Sequence, residues 1–199
     1  MPLQNRVQPT GEIIAHPARG QFMGNRGVLH DSDQRLGKAR WRHKAWVTCV
    51  LSFKNRRRAL MSPRRYTELF FLDEAVAFAA GHRPCGECRR ADYNRFRTAA
   101  GITTPIAAYD SMLHAQRVVP RRYEHLRYTA DIAELPDGAF ILSESGAAHL
   151  AWGDALLPYS PSGYGPPIRR PAQGSVTVLT PKPLVDVLHA GYALQVAQP

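Results

Sequence analysis

The stretch LFFLDEAVAFAAGHRPCGECRR, residues 69–90, decides how the rest of this chain is read. Phe70 and Phe71 close a β-rich run. Asp73 and Glu74 then open a short helix, where an acid suits the positive end of the dipole and its oxygens can accept from unpaired amides. Ala75, Val76, Ala79 and Ala80 recur at helical spacing and give that helix a face to bury. Gly81 fits the left-handed position that ends a helix. His82-Arg83-Pro84 leads into Cys85-Gly86-Glu87-Cys88. Two cysteines separated by two residues at a turn can place both sulfurs on one metal ion, with Gly86 permitting a tight backbone.

Upstream, residues 1–29 are cut into short pieces by glycine and proline, with Glu12–Ala15 a short strand. Residues 24–30, GNRGVLH, read as a turn into a strand ending on His30, and residues 31–44 as a polar, basic loop or surface insertion. From Trp46 to Phe53 the pattern is β-rich. Lys54-Asn55-Arg56 forms a hairpin tip, Arg58 to Met61 a return strand, Ser62 to Arg65 a second turn, and Tyr66 to Phe71 a third strand. Downstream, a helix follows Cys88 to about Ala100. Tyr93, Phe96 and Ala100 share one face of it, and Arg90, Asn94 and Arg97 another. A third helix spans Pro105 to about Val118.

The last third differs in character. Ala139–Leu142 and Ala147–Trp152 read as strands, residues 158–174 are too rich in proline and glycine for one regular element, and Val176–Leu179 is a further strand. Thr180 then caps a helix that has Pro181 in its first turn and stops at Gly191. The expected fold class is α+β: a small antiparallel sheet with helices around a cysteine-rich metal site in residues 1–127, and a β-rich C-terminal subdomain in residues 128–199.

Composition narrows the classes further. Hydrophobic residues make up 44%, enough for a packed core, and no apolar run approaches the length of a bilayer span. The N-terminus shows no apolar segment followed by a small-residue cleavage site, so a cytoplasmic location is the expectation. In that setting three cysteines point to metal ligation rather than a disulfide framework. Charge is uneven: residues 1–127 carry 23 Lys+Arg against 10 Asp+Glu, and residues 128–199 carry 3 against 6. A basic surface on the cysteine-bearing part suits a polyanion, nucleic acid first and DNA before RNA, through release of counterions. The plainer alternative is solvated surface charge. The arginines placed to meet phosphates are Arg56, Arg57 and Arg58 at the hairpin tip, Arg64 and Arg65 at the next turn, and Arg89, Arg90 and Arg97 after the cysteines. Trp41, Trp46 and Tyr66 lie near them; Trp46, within a strand, reads as core.

A structural zinc site needs four nitrogen or sulfur ligands. Cys85 and Cys88 supply two, and Cys49 is the remaining cysteine. The fourth ligand is a histidine, an acid or water. His30 and His43 are candidates, and His82 sits close to Cys85 for a shared ion.

The segment from Phe71 through Arg90 resembles the zinc-binding domain of the Ada family of DNA alkylation-response proteins. The shared pattern is a strand, an alanine-rich helix, then Ala80-Gly81-His82-Arg83-Pro84-Cys85-Gly86-Glu87-Cys88-Arg89, with His82 where that family has an aromatic. The resemblance covers about residues 24–97 and does not extend to 128–199. It implies zinc as the metal, with Cys49, Cys85 and Cys88 matching the second, third and fourth ligands and His30 the first, in a Gly24-Asn25 context. His30 and Cys49 are further apart than the family's pair, so residues 31–44 enter as an insertion. The first ligand of that family is also the cysteine that accepts a methyl group from DNA. A histidine there is a poor substitute for a thiolate, so methyl transfer is not expected. What the resemblance leaves is a zinc-organised, DNA-binding fold with a role in DNA damage response.

Two other classes remain in view. Pro84-Cys85-Gly86-Glu87-Cys88 also fits half of the motif of zinc nucleobase and nucleoside deaminases, which need an upstream His-x-Glu or Cys-x-Glu to move protons at a zinc-bound water. Cys49 is followed by Val50 and Leu51, and His114-Ala115-Gln116 lies on the wrong side with Gln in place of Glu. Alternatively, the metal only staples a sheet, and the basic face meets a protein. No residue is assigned a catalytic role.

Overall fold

Asp73 caps its helix as read from the sequence. Its extended backbone precedes α1 (Glu74–Ala79), and its Oδ1 accepts from the Val76 N–H at 2.9 Å. Gly81 follows at φ +79, and a Cβ there would lie 2.7 Å from Arg117 Cδ, so the turn needs glycine for both conformation and space. The computed structural model describes residues 1–56 and 59–197, which form an α+β fold of two sheets and four helices.

The first sheet contains β1 (Gln4–Val7), β2 (Ile13–Ala15), β3 (Phe22–Asn25), β4 (Val47–Val50), β5 (Leu69–Phe71) and β6 (Arg83–Pro84), in the order β2-β1-β5-β3-β4-β6. It is mixed rather than antiparallel throughout: β1–β5 and β4–β6 run parallel. The expected hairpin between the Trp46 run and a return strand at Arg58–Met61 does not form over its described residues. Lys54, Asn55, Met61 and Arg64 all have positive φ, which breaks extended structure. Met61 is instead fully buried, its N–H donating to Glu68 at 2.7 Å. The partner of β4 is β3, with Met23 opposite Cys49, although the sequence of β3 reads as part of a turn. Nor does a strand run to His30, which makes only a single bridge to Leu36 beyond the turn at Gly27.

After β6 come α2 (Arg90–Ala99) and α3 (Ile106–Arg117), with Tyr93 and Phe96 the buried side of α2 as its spacing predicts. The second sheet takes β7 (Tyr128–Asp131), β8 (Phe140–Leu142), β9 (Ala148–Trp152), β10 (Ala155–Ser160), β11 (Gly163–Tyr164), β12 (Ile168–Arg169) and β13 (Ser175–Val178). Its order is β11-β10-β9-β8-β13-β7, with β12 also on β10. Then α4 (Lys182–His189) closes the chain. Pro181 rather than Thr180 occupies its cap position, because the Thr180 hydroxyl is taken by the Phe140 N–H of β8 at 2.9 Å.

The cores cross the point where the sequence changes character. Leu69, Phe71, Ala75 and Val76 are buried in one cluster with Phe140, Leu150, Leu157 and Leu179. Phe78, Phe96 and Leu113 share a second with Leu184, Leu188 and Tyr192, whose ring stacks on Phe78 at 5.3 Å. Every residue of α1 is buried, so this helix is the shared centre of both clusters and not a one-faced surface helix.

The two acids that open α1 are buried as well. Asp73 Oδ2 accepts from the Tyr164 hydroxyl at 2.8 Å and the Ala197 N–H at 3.0 Å. Glu74 accepts from the Tyr192 hydroxyl at 2.8 Å and the Gln195 N–H at 3.0 Å, and pairs with buried Arg89 at 2.8 Å. Burial raises the pKa of both carboxyls, and these donors and Arg89 hold them back.

At the other end of α1 two buried guanidiniums lie against Trp46. Arg26 Cζ is 4.2 Å and Arg117 Cζ 3.7 Å from the Trp46 ring. Arg26 donates to Ala80 O at 3.2 Å and Arg117 to Gly81 O at 2.6 Å, which places cations on the carbonyls at the negative end of the helix.

Glu74→Ala is expected to cost about 3 kcal/mol, since it takes from buried Arg89 one of its two carboxylates, leaving Asp92 alone, and also frees the C-terminal segment. Tyr192→Phe, losing one hydrogen bond, is expected to cost about 1 kcal/mol. Urea unfolding of the two variants checks the ordering, and equal losses would remove Glu74 from this role.

A candidate three-cysteine metal centre and its basic surroundings

The parallel pairing of β4 with β6 builds the site. Thr48 lies opposite Pro84, and the Cys85 N–H donates to Thr48 O at 2.9 Å, so the turn after β6 is set beside Cys49 on β4. The turn is closed by the Arg89 N–H on Cys85 O at 3.1 Å. The Sγ atoms of Cys49, Cys85 and Cys88 consequently all lie within 4.8 Å of one another, and all three residues are half-buried. Sulfurs bonded to one tetrahedral ion at about 2.3 Å sit roughly 3.8 Å apart, so this donor set fits a metal ion with little adjustment.

Electrostatics favour a cation there. Hydrogen bonding from Cys49 and the backbone N–H groups of Cys88 and Glu87 brings the Cys85 thiol down to about 5. Cys49 is pushed up, first by its hydrogen bond to Cys85 and then by burial, and Cys88 is raised by burial. Two thiols beside one thiolate thus resist further ionisation unless a positive ion shares them.

His30 stands outside this group, although the resemblance assigned it the first ligand position. Its Nδ1 is 2.7 Å from the Thr67 hydroxyl and its Nε2 3.3 Å from Ser62 O, so the ring is spent on holding the loop before β5. His43 is likewise elsewhere, 3.0 Å from Asn25 Oδ1, and His82 is buried against Phe71 and Trp46. Among the described residues, no histidine or acid joins the three sulfurs as a fourth ligand. An ion bound by the three sulfurs would therefore take any fourth ligand from water or an outside molecule.

The arginines divide by burial. Arg89 is buried between Glu74 and Asp92 at 2.8 Å from each, and over the Phe22 ring, so it is structural and cannot meet phosphate. Arg97 is half-buried and donates to Ile102 O at 3.1 Å, which ties down the chain after α2. Arg64, Arg65 and Arg90 are exposed. Arg56 is exposed beside the cysteine cluster, paired with Glu87 at 2.7 Å. Arg57 and Arg58 lie outside the described residues.

Sequence reasoning missed the role of Arg83, which forms a buried two-pronged pair with Asp110 of α3, each contact at 2.7 Å. It fixes β6, and through β6 the cysteine turn, against the third helix. A buried Arg and a buried Asp, 27 positions apart, carry no local pattern that would have paired them. Comparison with protein-family models, with curated proteins and with solved structures finds no match for this chain.

Elemental analysis of the purified protein is expected to give one divalent metal per chain, retained in His30→Ala and lost in Cys85→Ser. Retention in Cys85→Ser would show that the sulfurs are not the site, and loss in His30→Ala would return that ring to the ligand set.

Proposed function

We propose that this protein is a zinc-binding protein that contacts nucleic acid, DNA before RNA, on the basic surface beside its metal centre. The observation that carries the reading is the convergence of three sulfurs within 4.8 Å next to the loop that bears Arg56. Zinc is the metal of choice because thiolates are soft, zinc accepts a tetrahedral sulfur-rich shell, and it brings no redox chemistry. Cys49, Cys85 and Cys88 would hold it, and it would lock β4 to the turn after β6. The resemblance to the Ada zinc domain supports a role in DNA damage response. With no cysteine at residue 30, methyl transfer is not part of the proposal.

The contact surface is narrower than the sequence implied. Arg64, Arg65 and Arg90 are exposed, and Arg90 lies over the Tyr93 ring at 5.6 Å. Arg56 would exchange Glu87 for a phosphate, an exposed pair of this kind being cheap to break. A deaminase-like hydrolase is less well supported. It needs a carboxylate to move protons at the metal's open side, and no described acid joins the three sulfurs. A protein partner for the basic face is the remaining alternative, and salt separates the two.

Fluorescence anisotropy with a mixed-sequence DNA duplex and a single-stranded RNA is expected to show affinity falling steeply from low to physiological salt. Arg64→Glu with Arg65→Glu should reduce the log–log slope by about 2, near one unit for each phosphate that is no longer neutralised. Binding that is flat with salt, or absent for both polymers while the metal is intact, would overturn the nucleic-acid reading.

A further inference from the structure

Away from the cysteines, buried polar groups without partners gather near Trp46. Both ring nitrogens of His125 are buried and unpartnered, as are His82 Nδ1, Arg117 Nε and Thr10 Oγ1. Each such group costs roughly 1–3 kcal/mol when left unsatisfied, so a concentration of them in one neighbourhood calls for an explanation. Charge is out of balance in the same place. Arg26 and Arg117 are fully buried, and neither pairs with a carboxylate among the described residues. The nearby Asp110 is already held by Arg83. Burial and these two guanidiniums drive His82 and His125 well below the usual imidazole range, so both rings are neutral.

A cavity of about 530 Å³ reaches this group, with Thr10, Gly11, Tyr123, His125, Arg40 and Arg127 on its wall. Glu12 and Glu124 also line it, and Glu124 lies 3.7 Å from Arg122. Gly11 has φ +85, and a Cβ there would come within 2.3 Å of His125 Nε2. Only glycine lets the imidazole sit where it does. A second cavity of about 460 Å³ shares Tyr123 with the first and is largely apolar, with Trp41, Val118, Val119 and Pro120 among its walls. Trp41 and Tyr123 meet edge to face at 5.0 Å, a wall suited to a flat ring. Both volumes fall within the roughly 300–1,000 Å³ of small-molecule sites.

We propose that these two neighbouring cavities, which share Tyr123 as a wall, bind a small organic oxyanion, its phosphate or carboxylate in the first cavity at Thr10, His125 and Arg127, its ring in the second against Trp41 and Tyr123. The Thr10 hydroxyl and an imidazole N–H lie beneath the cavity wall with nothing to donate to, and a small shift of either side chain would present it to an anion, which supplies acceptors for both. The buried guanidinium pair behind His125 and the guanidiniums of Arg40 and Arg127 supply the charge it would meet. Ordered water can satisfy stray donors. It does not account for two buried cations without a counter-charge, nor for an aromatic compartment next door.

The test uses the full chain, with titration calorimetry and tryptophan fluorescence as readouts. The probes are adenosine 5′-monophosphate, benzoate and inorganic phosphate. At least one ring-bearing anion is expected to bind, tenfold or more tighter than inorganic phosphate, and which of the two binds tighter identifies the headgroup. Arg127→Glu on the exposed rim and His125→Phe should each weaken that binding at least tenfold. His125→Phe should melt no lower than wild type, because it removes two unpartnered nitrogens from the interior. The proposal is overturned if neither ring-bearing anion binds at several millimolar, if inorganic phosphate binds as tightly, or if Arg127→Glu leaves affinity unchanged. A lower melting temperature for His125→Phe would also overturn it, by assigning the imidazole to structure.

Discussion

Two neighbouring carboxylates, Asp73 and Glu74, set the order of this fold. Between them they cap a helix, neutralise a buried arginine and receive donors from residues 164, 192, 195 and 197. Buried acids are tolerated only when hydrogen-bonded and paired, so each of these partners has to be in place for the others to be worth burying. The helix they open is short and apolar on all sides. It cannot stand alone, and its stability is the packing of both sheets and the later helices around it.

The cysteine cluster follows from that arrangement. With α1 fixed at its N-terminus by the acids and at its C-terminus by Arg26 and Arg117, the turn at Gly81 delivers β6 alongside β4. Arg83 pins β6 to α3, and the cysteine turn is presented to Cys49. The sulfurs are thus held by backbone pairing on one strand and a tight turn on another, so the fold itself gathers the donor set. Preassembly of this kind reduces the ordering that binding must supply.

How much was legible depended on whether a signal was local. The helix around residues 74–79, its cap, its glycine stop and the pairing of Cys85 with Cys88 follow from spacing within one short segment. The third cysteine was identified by count, since only one other exists, and its convergence came from strand pairing. Strand order was not legible. The hairpin expected after Phe53 rested on alternation, and positive backbone angles at Lys54, Asn55 and Met61 overrode it. Phe22–Asn25, broken by glycine, carries almost no β signal, yet pairs with both β4 and β5. His30 was assigned by the resemblance of its Gly24-Asn25 context, whereas its ring is committed to Thr67. The basic count was correct as a sum but silent on burial: Arg26, Arg83, Arg89 and Arg117 are interior residues that composition enrols in a surface charge.

The single carboxylate pair shared by the helix and the C-terminal segment has a consequence for how such a chain can change over time. A cysteine-bearing unit that keeps its own acids can be cut out and joined to new neighbours. Here the acids are answered by residues more than ninety positions later. Recombination between α1 and residue 164 would therefore part donors from acceptors, leaving buried carboxylates short of donors in one product and unpaired hydroxyls and amides in the other. The cysteine-bearing segment and its tail would then have to be inherited as one piece.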